Sequence, residues 1–433
     1  MMISRHQIAL GSAESVADAR WLHVLLLALP FALVVVGWHG LSESFAGFQG
    51  GDEPTHFSIV QTFLGQWPRP VIGGYGAWSG PFVYWLLATL SLPFGGSLVA
   101  LRLIVTAFSF GACLAAYVLF RDRLRARPID ALTLALLLAI SPFFLGQSFL
   151  VLTDNPCWFF VVLGLERLFA YVQRPRLGAF AAFACCLAAA TTMRQVAVWL
   201  VFPAVIALLS ANVPRRQRLV GLGLLALGLV PLVALLISWG GLLPPGSDAG
   251  GIAQTPLVAA RRLRNLLLTL GVAGTYAVLL LPVEEVKSWR RRLGGRKGAV
   301  LALPAVAALG LLLAGALAPL PAFIGLVSRL PAPLLNGSSL FWWLLVPAGA
   351  AAVAGLAATR VRDLRSRMLI AALAGLLLSV LANPTWFQRY VDFPMLLLFA
   401  GLAAATGVSL QRADRLRRLL AGLLFIAAFI WLL

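Results

Sequence analysis

Long apolar runs, separated by short polar segments rich in arginine, dominate the chain. Runs of about 20 apolar residues suit membrane-spanning helices, whereas barrel strands are shorter and alternate in polarity. The pattern predicts thirteen spans, at residues 21–38, 98–120, 129–150, 156–173, 177–192, 196–212, 219–239, 265–283, 299–327, 339–358, 368–382, 391–410 and 419–433. We therefore predict an all-α fold, a polytopic transmembrane helix bundle.

The basic clusters between these runs predict the topology, because cytoplasmic loops are enriched in lysine and arginine. Residues 80–94 are interpreted as a juxtamembrane helix, because counting them as a span would put every later cluster on the outer face. Those clusters are 121–127, 174–176, 215–218, 287–297, 360–367 and 412–418. The prediction is one integral membrane domain over 1–433. It has a cytoplasmic tail at 1–20, an outer loop with juxtamembrane helices and the acidic motif at 39–97, and the remaining bundle at 98–433.

Composition excludes several classes of protein. Of the 433 residues, 61% are hydrophobic and only 11% are charged, against about 25% charged in an ordinary globular chain. A soluble enzyme, a disordered scaffold and a secreted disulfide module are therefore excluded. The net charge of +19 does not indicate nucleic-acid binding, because the basic residues follow the pattern of cytoplasmic loops. We expect a multi-pass plasma (inner) membrane protein with a cytoplasmic N-terminus.

The sharpest candidate for chemistry is Asp52-Glu53-Pro54-Thr55-His56, in the outer loop after the first span. Adjacent carboxylates repel, so one of them tends to have a raised pKa, which suits a general base. On a helix, His56 shares a face with the acidic pair. The same residues also suit a helix N-terminus, where proline and acidic side chains are favoured. Both interpretations can hold together.

Arginines at the predicted outer face are the second candidate group, because charge at membrane depth is costly and arginine fits phosphate well. Arg194 lies between two spans, and Arg389-Tyr390 lies in a short outer loop near the C-terminus. Contact with lipid headgroups explains them equally well. Asp154 caps the next helix or contacts substrate. Aromatic residues around Trp78 suit either a sugar or the headgroup zone.

Three features resemble the GT-C superfamily of integral-membrane glycosyltransferases. They are an acidic pair after the first span, a juxtamembrane helix that opens with proline and aromatic residues, and an early Ala-Leu-Arg in the next apolar segment. In this chain they are Asp52-Glu53, Gly80-Pro81-Phe82-Val83-Tyr84-Trp85 and Val99-Ala100-Leu101-Arg102. Ser141-Pro142-Phe143-Phe144 and Thr153-Asp154 also fit.

Within that superfamily the chain resembles the dolichyl-phosphate-glucose α-1,2-glucosyltransferase family, as a bacterial relative. Asp52-Glu53 with His56 is similar to its Asp-Glu-x-x-His signature. Met193-Arg194-Gln195 is similar to its Arg-Gln-Thr motif, with Val196 in place of the threonine. The Arg389-Tyr390 loop is closer to the general Arg-Tyr of bacterial GT-C enzymes.

The resemblance implies an inverting transfer of a hexose, with glucose favoured, from a polyprenyl-phosphate donor to a glycan or lipid-linked acceptor at the extracytoplasmic face. Asp52 is then the base, supported by Glu53 and His56. The donor phosphate is assigned to Arg194 and Arg389, followed by Arg102 and Arg329. Substrate contacts are assigned to Gln195, Tyr390, Asp154 and Trp78.

No cofactor is expected to be required, although the acidic residues and His56 leave a divalent ion, Mg²⁺ or Mn²⁺, open. Membrane lipids are expected partners, nucleic acid is not, and the oligomeric state is open. The competing class is a secondary transporter or lipid flippase. Such a protein would place ionisable residues near the bilayer midplane, often in repeated halves.

Overall fold

The computed structural model describes residues 5–37, 41–45, 52–210, 213–245, 258–281, 334–335, 338–359, 363–382 and 388–405, with isolated positions within 304–310 and 415–422. The predicted spans 299–327 and 419–433 therefore lie almost entirely outside the described residues. Arg329 also lies outside them.

The described residues are helical almost throughout. In chain order the α-helices are α1 (Arg5–Gly37), α2 (Glu53–Gly65), α3 (Pro81–Ser91), α4 (Leu98–Val118), α5 (Pro128–Ala139), α6 (Pro142–Gln147), α7 (Asp154–Gln173), α8 (Leu177–Met193), α9 (Val201–Leu208), α10 (Arg215–Trp239), α11 (Val258–Leu280), α12 (Leu340–Thr359), α13 (Leu364–Ala382) and α14 (Gln388–Ala405). Shorter turns are a 3₁₀ turn at Leu92–Phe94, a π-helical turn at Leu119–Arg123 and a 3₁₀ turn at Gln195–Leu200. Two two-residue strands, β1 (Leu334–Leu335) and β2 (Ser338–Ser339), pair antiparallel.

Within the described part of the chain, six helical segments are long and apolar enough to cross a membrane. They are Arg20–Gly37, Leu98–Arg123, Arg215–Trp239, Arg262–Leu280, Trp342–Thr359 and Leu364–Ala382. Large apolar side chains on α1 and α10, among them Leu33, Leu227 and Ile237, are exposed on the surface, as expected where lipid covers the helix. The predicted all-α, polytopic membrane fold is confirmed.

Three of the predicted elements differ in detail from the structure. The predicted span 129–150 is divided into α5 and α6 at Ser141, because Pro142 begins a new helix and has no amide hydrogen to continue the old one. The predicted span 196–212 is a 3₁₀ turn followed by the eight-residue α9. The predicted polar tail at 1–20 is helical from Arg5 and continuous with the first span.

Helix starts at the predicted outer face are fixed by caps and prolines. The α4 N-terminus is capped by the Ser97 hydroxyl, which accepts a hydrogen bond from the Ala100 amide (3.1 Å). The Glu43 carboxylate accepts one from the Leu98 amide (3.0 Å). Anions and acceptors are favourable there because the first amides of a helix have no partner within it. These contacts tie residues 41–45 of the predicted outer loop to α4.

Helix α7 packs between α4 and α8, and α10 packs on the other side of α8. Aromatic side chains such as Trp158 and Phe169 are buried in this core. A second close packing joins α11 to α12. A β-carbon at Gly349 would lie 1.7 Å from the Leu270 carbonyl oxygen, so only glycine permits this approach. Core packing therefore holds α7 and α8 in place, and close backbone contact joins α11 to α12.

Candidate functional site

Four distant parts of the chain meet beside the start of α2. Asp52 precedes α2, Asp154 begins α7, Arg194 follows α8, and Arg389 lies in the first turn of α14. Each is at a helix end, where backbone geometry changes and side chains can converge. The structure thus brings together several residues predicted separately from the sequence.

Asp52 and Arg389 form an ion pair through Arg389 Nη2 and Asp52 Oδ2. The Asp52 side chain is 45% exposed and that of Arg389 is 24% exposed, so the pair is open to solvent. Burial alone would raise the pKa of Asp52, but the charge and hydrogen bond of Arg389 outweigh it and lower the pKa. The expectation of a raised pKa does not hold for Asp52, because an arginine faces it.

The neighbouring Glu53 points away from Asp52 into the protein. Its carboxylate accepts hydrogen bonds from Arg102 Nε (2.9 Å) and Nη2 (2.7 Å) and from the Val151 amide (3.0 Å). Arg102 is fully buried and also donates to the Ser42 carbonyl (2.7 Å). This geometry favours a structural role, in which Glu53 and Arg102 form a clamp that holds the start of α2. It argues against the predicted roles, in which Glu53 supports the base and Arg102 binds the donor phosphate.

Arg194 is held by residues at the start of α7. Its Nη2 donates to Asp154 Oδ2 (2.8 Å) and to the Thr153 hydroxyl (2.9 Å). Asp154 is buried, and its second oxygen, Oδ1, has no hydrogen-bond partner among the described residues. The ion pair therefore joins one guanidinium nitrogen of Arg194 to one carboxylate oxygen of Asp154.

Tyr390 links the two arginines. The Arg194 guanidinium carbon lies 4.5 Å from the centre of the Tyr390 ring, and that of Arg389 lies 5.3 Å from it. Cations at these distances are attracted by the ring. Two guanidinium groups therefore lie against one aromatic side chain, next to the exposed carboxylate of Asp52.

His56 lies one turn into α2 and is buried. Its Nδ1 shares a 2.7 Å hydrogen bond with the Tyr84 hydroxyl, and the two rings are stacked. Burial, with the nearby charge of Arg194, lowers the pKa of His56 to about 4. His56 is therefore neutral at physiological pH, and its bond to Tyr84 fixes the ring.

A tight backbone contact joins α3 to the turn that carries Arg194. The Gly80 amide donates to the Met193 carbonyl (2.8 Å). A β-carbon at Gly80 would lie 1.8 Å from the Thr192 carbonyl oxygen. The adjacent Ser79 hydroxyl shares a 3.0 Å hydrogen bond with the Thr153 hydroxyl. Ser79 was not predicted as a site residue from the sequence; its place directly before a Gly-Pro helix start was the available signal.

Gln195 and Trp78, the remaining predicted site residues in the described ranges, lie outside the network formed by Asp52, Arg194 and Arg389. Gln195 donates a long hydrogen bond to the Leu242 carbonyl (3.4 Å). Trp78 is half-buried in the loop before α3. No group of three His, Cys, Asp or Glu side chains in the described ranges is placed to hold a metal ion. The expectation that no cofactor is required, with Mg²⁺ or Mn²⁺ left open, stays a prediction.

An apolar groove of about 510 Å³ lies between α3, α8 and α10. Its walls include Phe82, Trp85, Ala189 and Leu235, and it extends to Thr192, two residues before Arg194. The groove therefore ends close to Arg194, at the C-terminal end of α8.

Residues 79–239 match the family of dolichyl-phosphate-mannose-protein mannosyltransferases. The matched segment is less than half of the chain; it includes Gly80, Arg102, Asp154 and Arg194, and it excludes Asp52. The match supports the predicted GT-C glycosyltransferase superfamily, whereas the narrower glucosyltransferase family is not confirmed. A search of curated proteins found no match.

Among solved structures, the chain is similar to the Saccharomyces cerevisiae protein O-mannosyltransferase Pmt1–Pmt2 complex bound to its sugar donor. The identity is 16%, the TM-score is 0.39, and the alignment covers 59% of this chain and 36% of that one. The chain thus spans about a third of that relative's length. It is also similar to ArnT from Cupriavidus metallidurans in the apo state, with 16% identity, a TM-score of 0.42, and coverage of 90% and 78%.

Proposed function

We propose that the protein is an inverting glycosyltransferase that moves a hexose from a polyprenyl-phosphate donor to a hydroxyl group of a glycan or lipid-linked acceptor. The proposal places the reaction at the extracytoplasmic face of the inner membrane. The observation that carries it is the exposed Asp52 carboxylate beside two arginines that share Tyr390. A base and an anion site are the two groups that this transfer needs.

The donor phosphate is assigned to Arg389, with Arg194 beside it. Arginine suits this task because the leaving phosphate gains negative charge as the sugar departs. Asp154 already balances the charge of Arg194. Arg389 is therefore the arginine that leaves the Asp52 carboxylate and binds the donor phosphate. The apolar groove that reaches Thr192 is assigned to the polyprenyl chain of the donor.

In the reaction, Asp52 accepts the proton of the acceptor hydroxyl while the oxygen attacks the anomeric carbon. The bond between that carbon and the phosphate oxygen breaks, and polyprenyl phosphate leaves as an anion. Attack opposite the leaving group inverts the anomeric carbon, as in inverting glycosidases. No separate acid is needed, because the phosphate needs no proton to depart.

Two resemblances bear on the identity of the donor sugar and of the acceptor. The Asp-Glu-x-x-His resemblance favours glucose, and the matched family is described by mannose transfer from dolichyl phosphate to protein. Our proposal keeps glucose as the first donor and mannose as its direct competitor. The acceptor is a hydroxyl-bearing glycan or lipid, with a protein hydroxyl as the alternative that the family match supplies.

The decisive experiment is a transfer assay with purified full-length protein in detergent. Radiolabelled polyprenyl-phosphate glucose and mannose are offered in turn, with a membrane extract as acceptor, with and without a chelator. We expect transfer of label by the wild type and loss of transfer by about 10²–10⁴-fold in Asp52→Asn, the range expected for a lost general base. Asp122→Asn is the matched control, because Asp122 is also a part-exposed aspartate paired with an arginine.

Transfer by Asp52→Asn at the wild-type rate would remove Asp52 as the base. The transporter alternative is tested in liposomes with the same labelled donors. In this assay the labelled lipid could cross the bilayer while no acceptor yields a glycosylated product. That result would replace the glycosyltransferase proposal with a lipid flippase.

A further inference from the structure

Asp392 is a buried carboxylate that the mechanism above does not use. It lies in α14, one helical turn after Arg389, and it is 1% exposed. The Tyr276 hydroxyl donates to its Oδ1 (2.6 Å), and the Ser141 hydroxyl donates to its Oδ2 (2.8 Å). Both oxygens are therefore engaged by side chains from other parts of the chain.

The two donors lie on separate elements. Tyr276 belongs to α11, and Ser141 is the residue directly before α6, where the predicted single span is divided. Asp392 thus connects the first turn of α14 to two neighbours at once. Residues three positions apart lie on the same face of a helix, so a rotation of α14 at Asp392 would also move Arg389.

Apolar packing already holds this part of α14. The Phe393 ring stacks on Phe144 with centres 4.3 Å apart, and it lies 6.0 Å from Trp158. Ring stacking tolerates small rotations, whereas two hydrogen bonds to one carboxylate define an orientation. Buried polar groups contribute little net stability but specify one arrangement in some proteins.

We propose that Asp392 is a positioning residue for Arg389 and Tyr390. Its hydrogen bonds to Tyr276 and Ser141 set the rotation of the first turn of α14, so that Arg389 reaches Asp52 and Tyr390 lies against Arg194. The inference rests on the proposed function for its kinetic consequences, and its structural consequence is independent of it.

The kinetic test uses Tyr276→Phe, which removes one hydroxyl and adds no charge. We expect the donor KM to rise and kcat to fall, together about 10- to 100-fold in kcat/KM, the size expected when a contact group is misplaced by about 1 Å. Thr275→Val is the matched control, because the Thr275 hydroxyl donates within its own helix, to the Gly271 carbonyl (3.2 Å). It should retain wild-type kinetics.

A double-mutant cycle separates positioning from general stability. If Asp392 acts through Arg389, Tyr276→Phe should cost less in an Arg389→Gln background than in the wild type, because one of the two positioned groups is already absent. Coupling of this kind is expected between residues linked through one hydrogen-bond network or a shared backbone shift. Equal losses in both backgrounds would overturn the proposal.

Cross-linking tests the placement without any sugar transfer, so it decides the inference even where the transfer assay fails. Asp52→Cys and Arg389→Cys are combined in a Cys185→Ala background, because Cys185 is the exposed cysteine of the described chain. A short bifunctional thiol reagent should join the two introduced cysteines. Adding Tyr276→Phe should slow cross-linking about tenfold, whereas adding Thr275→Val should not. Equal rates in the double-cysteine parent and both of these variants would contradict the proposal.

Discussion

Asp52 and Arg389 lie 337 positions apart in the chain and form an ion pair at the start of two helices. The pair joins the loop before α2 to α14. It also lowers the pKa of Asp52, because a cation favours the ionised carboxylate. The carboxylate therefore stays ionised, as a base must be, down to pH values below its ordinary range.

The first prediction concerns the acid limb of the pH–rate profile. Asp52 works as a base only when ionised, and Arg389 holds its pKa below the ordinary value of 3.8. In the wild type, kcat/KM should therefore fall only in strongly acidic solution. In Arg389→Gln the pKa of Asp52 should rise, so the limb should move to higher pH.

The position of the limb is measured, and not only the rate, because Arg389→Gln also weakens phosphate binding. Arg121→Gln is the control, since Arg121 pairs with Asp122 away from the site. A limb that stays in place when Arg389 is replaced would show that Asp52 does not titrate in the rate-limiting step.

The second prediction concerns His56. Burial lowers its pKa to about 4, so its protonation does not change across neutral pH. The profile of kcat/KM between about pH 5.5 and 8 should show no step near 6.5, the ordinary histidine value. A step there that disappears in His56→Gln would show that His56 titrates in the neutral range. Tyr84→Phe should lower activity without creating such a step.

The sequence predicted the acidic pair but not which partner each carboxylate takes. Asp52 and Glu53 are adjacent, so their local patterns are equivalent; only tertiary contacts send Glu53 to Arg102 and Asp52 to Arg389. The same limit applies to Asp392, whose partners lie 116 and 251 positions away. Apolar periodicity predicted the helices because it is local. Pro142 showed that a single residue within an apolar run can divide a helix.

The third prediction concerns the clamp formed by Glu53 and Arg102. Breaking a buried ion pair leaves an unpaired charge and costs about 3–5 kcal/mol. Glu53→Gln should therefore lower the apparent melting temperature of the detergent-purified protein and reduce activity together. Asp52→Asn should leave the melting temperature within about 2 °C of the wild type, because its side chain is partly exposed and solvent replaces part of the lost contact. A reversed order of stabilities would contradict the assignment of Glu53 as the structural member of the pair.

The fourth prediction uses the glycine contact at the start of α3. A methyl group at Gly80 would overlap the Thr192 carbonyl, so the turn that carries Arg194 must shift. Gly80→Ala should reduce transfer about 10- to 100-fold, since a displacement near 1 Å misplaces the reacting groups. Gly73→Ala is the matched control, because no atom lies within 4 Å of its added carbon. Equal activity in the two variants would mean that the turn accommodates the methyl group.

The fifth prediction concerns the apolar groove between α3, α8 and α10. Ala189 lines it, and Ala189→Phe fills space assigned to the isoprene chain. The donor KM should rise about tenfold, or 1.4 kcal/mol, for a donor with a long polyprenyl chain. It should change little for a donor with one or two isoprene units, which does not reach along the groove.

Ala226→Phe is the control for added bulk, because Ala226 lies on α10 but is exposed on its other side. It should leave both donors unaffected. The difference between long and short donors is the informative quantity, since a general disturbance of α8 would weaken both equally. An equal loss for both would place the polyprenyl chain elsewhere and leave the groove to membrane lipid.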